Sequence, residues 1–166
     1  MNKYKKSKIF NDVKIFETRP FRDFRGNYVE SFNSDFFNQE NDIEFIQDDF
    51  STSQKNVLRG LHGDSETWKL VSCPFGKIYL VVADMRENSS TFLQWEAFTL
   101  SPEAPQFILI PPGFANGHLV LSEIGVFHYK QSTNYGTKQF TVKYNDTRLN
   151  IFWPNIPFIQ SERDIP

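Results

Sequence analysis

Short apolar segments separated by glycine and proline turns dominate this chain and restrict the folds that it can adopt. The strongest strand signal is the run at residues 77–84, which follows a Pro-Phe-Gly turn. A Pro-Pro-Gly stretch ends the strand-like segment at residues 106–110. Further strands are predicted at residues 9–17, 27–32, 44–49, 57–61, 68–73, 92–100, 118–121, 125–131 and 140–144. Strands this short and this closely spaced predict an all-β sandwich or jelly roll.

One short helix is predicted at residues 34–41, with Ser34 as its cap and with Phe36 and Phe37 facing inward. The length of 166 residues suits one domain and is enough to bury a full core. The sequence shows no internal repeat, low-complexity tract or linker. We therefore expect one domain over residues 1–166.

Composition argues against several classes of function. The formal net charge of -2 gives no support for a nucleic-acid partner. No apolar run approaches the length of a membrane span, and the basic N-terminus is not followed by a long apolar stretch. Cys73 is the only cysteine, so it cannot form an intramolecular disulfide and cannot build a zinc site alone. We expect a cytoplasmic protein without a membrane or nucleic-acid partner.

Residues 57–62 combine groups that can carry chemistry. Arg59 and His62 lie within one strand-like run, Gly60 separates them, and Lys69 follows closely. Arginine binds diphosphate through two parallel hydrogen bonds, and histidine can transfer a proton near neutral pH. The run is thus typical of a site that holds an anionic substrate while a base acts on it. A strand with a surface ion pair and an exposed histidine fits these residues equally well.

Several motifs in order along the chain resemble one family. They are V-L-R-G-L-H at residues 57–62, K-L-V at 69–71, P-P-G-F-A-N-G-H-L-V-L-S-E at 111–123, H-Y-K at 128–130 and S-E-R-D-I-P at 161–166. Together with F-R-D-F-R-G-N-Y-V-E at residues 21–30, they resemble the dTDP-4-dehydrorhamnose 3,5-epimerase family. The resemblance implies a cupin-type jelly roll that acts on nucleotide-linked 4-keto-6-deoxy sugars without a metal or other cofactor.

The resemblance also implies roles for four residues. A ketone at carbon 4 acidifies the hydrogens on carbons 3 and 5, so a base, a stabiliser of the enolate oxygen and an acid suffice to invert either centre. By resemblance His62 is the base, Lys69 stabilises the enolate and Tyr129 returns the proton. The S-E-R-D match assigns the carboxylate that orients the imidazole to Asp164.

Substrate-binding positions are implied in the same way. Arg59 would bind the diphosphate, and Gln47 and Asp49 match positions of polar residues that contact the substrate. In the family, one strand-exchanged segment reaches the site of the neighbouring subunit in a homodimer. Its matching positions in this chain are Phe21, Arg25 and Glu30.

The chain departs from the family pattern at three places. First, it has Asn116 where the family has histidine and carries a histidine two residues later, at His118. Second, it reads H-G-D at residues 62–64 where the family usually reads H-Y-Q. A tyrosine pair is reduced to Tyr135 followed by glycine. The first two departures resemble a subgroup that acts on GDP-linked 4-keto-heptoses for capsule polysaccharide or lipopolysaccharide, and they add Asn116 and His118 to the predicted substrate contacts. The nucleotide, GDP or dTDP, stays open.

Three alternatives to the epimerase remain. A metal cupin could use His62, Glu66 and His118, although position 64, where a second histidine is usual, is Asp. A non-catalytic sugar-nucleotide-binding module would keep Arg59 but would not need Tyr129. A 3,4-ketoisomerase on the same fold moves both protons on one face and would not need an acid opposite the base.

Overall fold

The structure is a computed structural model that describes residues 4–38, 42–136 and 138–164. Two antiparallel sheets pack face to face, as the predicted all-β fold requires. The larger sheet has the strand order β1 (Lys5–Lys6), β2 (Lys14–Glu17), β10 (Gln106–Ile110), β7 (Lys69–Phe75), β12 (Ile124–Gln131) and β5 (Gln47–Gln54). The smaller sheet has the order β13 (Gln139–Thr141), β6 (Leu58–Asp64), β11 (Phe114–Val120), β8 (Ile78–Asp84) and β9 (Trp95–Leu100).

Three smaller elements complete the fold. Strands β3 (Phe21–Asp23) and β4 (Gly26–Tyr28) pair with each other and form an exposed hairpin. A helix, α1 (Ser34–Asn38), covers part of the outer face of the larger sheet, and a 3-10 turn spans Glu162–Asp164. The described residues include no helix long and apolar enough to cross a membrane.

The main core lies between the two sheets because alternate residues of each strand face inward. Ile78, Leu80 and Val82 of β8 pack there against apolar residues of the larger sheet. Val81 and Ala83, on the opposite face of β8, pack under the C-terminal segment. Strand β8 is therefore buried on both faces, which explains its nearly unbroken apolar sequence.

Helix α1 confirms the predicted short helix but corrects its cap. Asn33, and not Ser34, accepts the hydrogen bond from the Asp35 backbone N–H, at 3.1 Å. Phe37 is buried as predicted, whereas residues 39–41 and the side chain of Phe36 lie outside the described part of the structure.

Several strand boundaries differ from the predicted ones because backbone pairing can include polar residues. Strand β5 continues to Gln54 through a polar stretch, since it pairs along its whole length with β12. Strand β11 begins at Phe114, directly after the Pro-Pro-Gly turn, and β9 begins only at Trp95. A local pattern of side chains does not report such pairing.

A buried carboxylate at the end of β8 joins three parts of the chain. Asp84 is fully buried and accepts hydrogen bonds from Arg86 Nε at 2.8 Å, Ser89 Oγ at 2.6 Å and Thr91 Oγ1 at 2.6 Å. Arg86 also donates to Asp12 at 2.6 Å. Burial alone would raise the pKa of Asp84, but these hydrogen bonds lower it to about 2.

We expect Asp84→Asn to lower the free energy of unfolding at neutral pH by roughly 2 kcal/mol. The pKa of Asp84 is 3.8 in the unfolded chain and about 2 in the folded protein. The ionised carboxylate therefore stabilises the folded state above about pH 4, and this stabilisation is lost as the pH falls towards 2. Urea unfolding between pH 2 and 7 measures both effects. Asp146→Asn is the matched control, because Asp146 binds Arg148 in the same local geometry but is partly exposed, at 15%, whereas Asp84 is fully buried. Equal losses in the two variants would contradict the importance of burial.

Candidate active site

A cavity opens between the two sheets, and polar side chains from both sheets line it. Strands β5, β7 and β12 form one wall, and β6, β11 and β13 form the other. The C-terminal 3-10 turn adds one carboxylate. The charged and hydrogen-bonding residues of the wall include Arg59, His62, Lys69, Asn116, His118, Tyr129, Gln131 and Asp164.

His62 lies in β6, opposite Asn116 in β11 and Thr141 in β13. Its Nε2 atom is 2.8 Å from Asp164 Oδ1, and its Nδ1 atom is 3.2 Å from Thr141 Oγ1. Contacts at both ring nitrogens restrain the orientation of the imidazole.

Asp164 is almost completely buried and 102 residues from His62 in sequence. Its carboxylate also accepts hydrogen bonds from Ser161 Oγ at 2.8 Å and from the Gly60 backbone N–H at 3.1 Å. Burial alone would raise the pKa of Asp164, but the hydrogen bonds from Ser161, Gly60 and His62 lower it overall. Asp164 is therefore ionised at neutral pH, and an ionised carboxylate requires the His62 proton on Nε2. The lone pair then lies on Nδ1, the nitrogen that faces the Thr141 hydroxyl.

Lys69 projects from the start of β7 into the cavity. Its Nζ atom is 3.5 Å from Asn116 Oδ1. Burial lowers the pKa of Lys69, and the nearby negative charge of Asp64 partly opposes this change. Asp64 is itself buried, and its Oδ1 accepts the backbone N–H groups of Glu66 and Thr67. An ammonium in such a poorly solvated place interacts strongly with negative charge that develops on a bound molecule.

Tyr129 faces the cavity from the wall opposite His62. It lies in β12 between β5 and β7, and its ring packs against Phe127 at 5.3 Å between centroids. Because β12 belongs to the larger sheet and β6 to the smaller one, the phenol and the imidazole approach a bound molecule from different sides.

His118 is a neutral imidazole in the same wall. It is buried and stacks on Phe127 at 4.3 Å between ring centroids. Burial, together with the positive charge of Arg59, lowers the pKa of His118 to about 3. Arg59 is exposed, and its Nε donates to Ser53 Oγ at 2.9 Å.

The structure gathers seven predicted site residues around this cavity and leaves the other five outside it. Phe21 and Arg25 lie on the exposed β3–β4 hairpin, where Arg25 pairs with Asp23 at 2.6 Å. Glu30 accepts a hydrogen bond from Asn33 at 2.7 Å. Gln47 and Asp49 hydrogen-bond to each other in β5 at 2.6 Å, and Asp49 also accepts one from Gln131. These two residues therefore support the cavity wall through Gln131.

Two contacts of the His62–Asp164 pair were missed by sequence reasoning. Ser161 lies in the S-E-R-D motif, so its position beside Asp164 could have been found from that match. Thr141 has no such signal, because only the pairing of β13 with β6 brings it to His62.

The metal set considered above does not assemble. Glu66 is exposed and lies 3.9 Å from Lys138, outside the cavity wall that holds His62 and His118. Within residues 4–38, 42–136 and 138–164, no group of three histidine, cysteine or acidic side chains is placed to hold a metal ion.

Known proteins similar to this chain are sugar-nucleotide epimerases. Residues 7–166 match the family described as dTDP-4-dehydrorhamnose 3,5-epimerase. The enzyme of that name from Shigella flexneri is 41% identical over 160 residues, which cover 93% of this chain and 88% of that one. The crystal structure of dTDP-6-deoxy-D-glucose-3,5-epimerase from Legionella pneumophila, in complex with dTDP-4-keto-L-rhamnose, aligns with a TM-score of 0.92 at 37% identity and covers 98% of this chain and 89% of that one. A 3'-monoepimerase from Streptomyces bikiniensis in complex with dTDP-quinovose aligns with a TM-score of 0.87 at 27% identity, covering 92% and 81% of the two chains.

We expect the His118 ring to stay neutral between about pH 5 and 8, since burial disfavours its charged form. Its NMR signals, assigned by their loss in His118→Gln, should not shift in this range. The urea-unfolded chain is the control, in which the same ring should titrate near 6.5. A titration of His118 near pH 6.5 in the folded protein would show that the ring is well solvated.

Proposed function

The chain belongs to the dTDP-4-dehydrorhamnose 3,5-epimerase family, and from this we propose that it inverts carbon 3, carbon 5 or both in a nucleotide-linked 4-keto-6-deoxy sugar. The observation that carries the proposal is the arrangement of His62 and Tyr129 on opposite sheets, with the Lys69 side chain projecting into the cavity from the same sheet as Tyr129. Inversion needs a proton removed from one face of the sugar ring and another supplied to the opposite face.

Each step of the proposed reaction uses one of these groups. His62 Nδ1 takes the proton next to the ketone, and the electrons of the broken C–H bond form the enolate. The Lys69 ammonium stabilises the negative enolate oxygen, a role that a metal ion plays in other enzymes. Tyr129 donates its phenolic proton to the other face, and the ketone reforms. Asp164 keeps His62 in the tautomer that can act as a base and stabilises the imidazolium that results.

The substrate is the finer part of the proposal. The relatives described above are named for dTDP-linked sugars, and their names give no support to the GDP-linked 4-keto-heptose predicted from the sequence departures. We propose a dTDP-linked 4-keto-6-deoxyhexose as the first substrate to test. Asn116 and His118, the departures that resemble the GDP-heptose subgroup, both line the cavity. The GDP-linked 4-keto-heptose is therefore the second substrate to test. That the enzyme works in the cytoplasm and makes a precursor of capsule polysaccharide or lipopolysaccharide stays a prediction.

The position of Tyr129 favours the epimerase over its alternatives. A 3,4-ketoisomerase needs no acid opposite the base, and a binding module needs neither group. We propose that the reaction is independent of metal, because Lys69 supplies the positive charge at the enolate. Full activity after dialysis against a strong chelator would support this proposal. Activity that is lost on dialysis and restored by added iron or zinc would contradict it.

We propose that a second copy of the chain completes the site in a homodimer. The β3–β4 hairpin exposes 65% of Phe21, 99% of Phe24 and 71% of Tyr28, an unusually apolar surface for a projecting arm. Arg25 at its tip lies outside the cavity of its own chain, so its predicted contact with substrate requires the cavity of a partner.

We expect His62→Asn and Tyr129→Phe to fail in different ways when 4-keto sugar nucleotides are incubated in deuterium oxide. Without its base, His62→Asn should lose deuterium incorporation at least about 100-fold. Tyr129→Phe should still exchange deuterium on the face of His62 but should invert the carbon at least roughly 100-fold more slowly. NMR and mass spectrometry locate the deuterium and the configuration of each carbon.

The matched controls are His128→Asn and Tyr144→Phe, whose rings lie outside the cavity wall. Both should retain exchange and inversion. Inversion by Tyr129→Phe at the normal rate would remove the proposed acid, and exchange by His62→Asn would place the base elsewhere.

We expect Arg25→Ala to raise KM roughly 10-fold or more while the dimer persists, because arginine makes strong paired contacts with diphosphate. Arg148→Ala is the control, since Arg148 binds Asp146 in the same local geometry as Arg25 binds Asp23. Steady-state kinetics and analytical ultracentrifugation measure the two effects. An unchanged KM, or a monomer at micromolar concentration, would contradict the shared site.

A further inference from the structure

We propose that Ser161 is a positioning residue whose hydroxyl holds the Asp164 carboxylate in the orientation that keeps the His62 proton on Nε2. This inference rests on the proposed function, since it gives Ser161 a task that acts through the base assigned there. Ser161 touches Asp164 and lines the cavity, and the mechanism above leaves it without a role.

The two oxygens of Asp164 have separate partners. Oδ1 is 2.8 Å from His62 Nε2 and accepts the Gly60 backbone N–H at 3.1 Å, while Oδ2 accepts the Ser161 hydroxyl at 2.8 Å. The terminal torsion of an aspartate is intrinsically loose. With partners on both oxygens, the carboxylate cannot rotate without breaking a hydrogen bond to an ionised group, which is among the stronger kinds.

The local backbone explains why Ser161 can serve Asp164. The Asp164 backbone N–H donates to the Ser161 carbonyl at 3.0 Å, as one turn of the C-terminal 3-10 segment. This turn brings the Ser161 side chain beside the carboxylate three residues later. The Asp164 side chain is only 5% exposed, whereas Ser161 is exposed and covers the carboxylate from the solvent side.

The orientation of Asp164 determines which nitrogen of His62 is basic. A fixed carboxylate accepts the Nε2 proton and leaves the lone pair on Nδ1, where the Thr141 hydroxyl can donate at 3.2 Å. Without the Ser161 hydrogen bond, the carboxylate can turn Oδ1 out of line with His62 Nε2, which weakens the preference for the proton on that nitrogen. Some molecules then carry the proton on Nδ1, and these cannot take a proton from the substrate with that atom.

The test compares Ser161→Ala, which removes the hydroxyl, with Ser161→Thr, which keeps it. Long-range ¹H–¹⁵N NMR reports the tautomer of His62 directly, and deuterium exchange reports kcat and KM. We expect the wild type and Ser161→Thr to carry the proton on Nε2. Ser161→Ala should show a mixture of tautomers and a kcat about 10-fold lower, with KM changed less than about twofold.

Ser89→Ala is the matched control, because the Ser89 hydroxyl donates to the buried Asp84 carboxylate at 2.6 Å, outside the cavity wall. It should lower Tm but leave the His62 tautomer and kcat unchanged. A wild-type tautomer in Ser161→Ala overturns the positioning role, whatever happens to activity. A changed tautomer in Ser161→Ala supports that role. If the wild-type protein nevertheless exchanges deuterium into none of the 4-keto sugars, the proposed function is overturned while the positioning role of Ser161 stands.

Discussion

The facing arrangement of two sheets is the constraint on which the rest of this structure depends. Successive side chains of a strand point to opposite faces, so the register of each strand decides which groups reach the cavity. In β12, Tyr129 faces inward, whereas the neighbouring His128 pairs on the other face with Asp48 at 2.6 Å. A shift of one residue would exchange a phenol for an imidazole in the cavity. The pairing of β12 with both β5 and β7 excludes that shift.

Placing the polar site against an apolar core changes the acid–base properties of its members. Burial alone would disfavour the charged forms of Lys69, His118 and Asp164. Their partners differ, and so do the outcomes. His118 stacks on an aromatic ring and becomes neutral, whereas Asp164 gains three hydrogen bonds and remains ionised. Lys69 has an amide oxygen at 3.5 Å and the charge of Asp64 nearby, which suits a cation that acts on charge formed during a reaction.

Much of the fold was predictable, but its boundaries were less so. Strong local patterns, such as the apolar run of β8 and the proline turns, marked strands that the structure contains. Polar residues in β5 and residues 114–117 of β11 belong to strands only because neighbouring strands bind their backbones. The predicted cap at Ser34 was wrong for a similar reason, since the choice between Asn33 and Ser34 depends on the exact start of the helix.

The sequence by itself determined the all-β class, the family and the candidate residues at motif positions, because these depend on the order and type of neighbouring side chains. Only the tertiary structure decided which of them meet. Asp164 reaches His62 across 102 residues, and Thr141 reaches it through a strand pairing that no motif records. Phe21 and Arg25 resemble site residues equally well in sequence, yet their hairpin stands apart from the cavity. Contact between distant residues depends on how the sheets pack, and local sequence does not encode it.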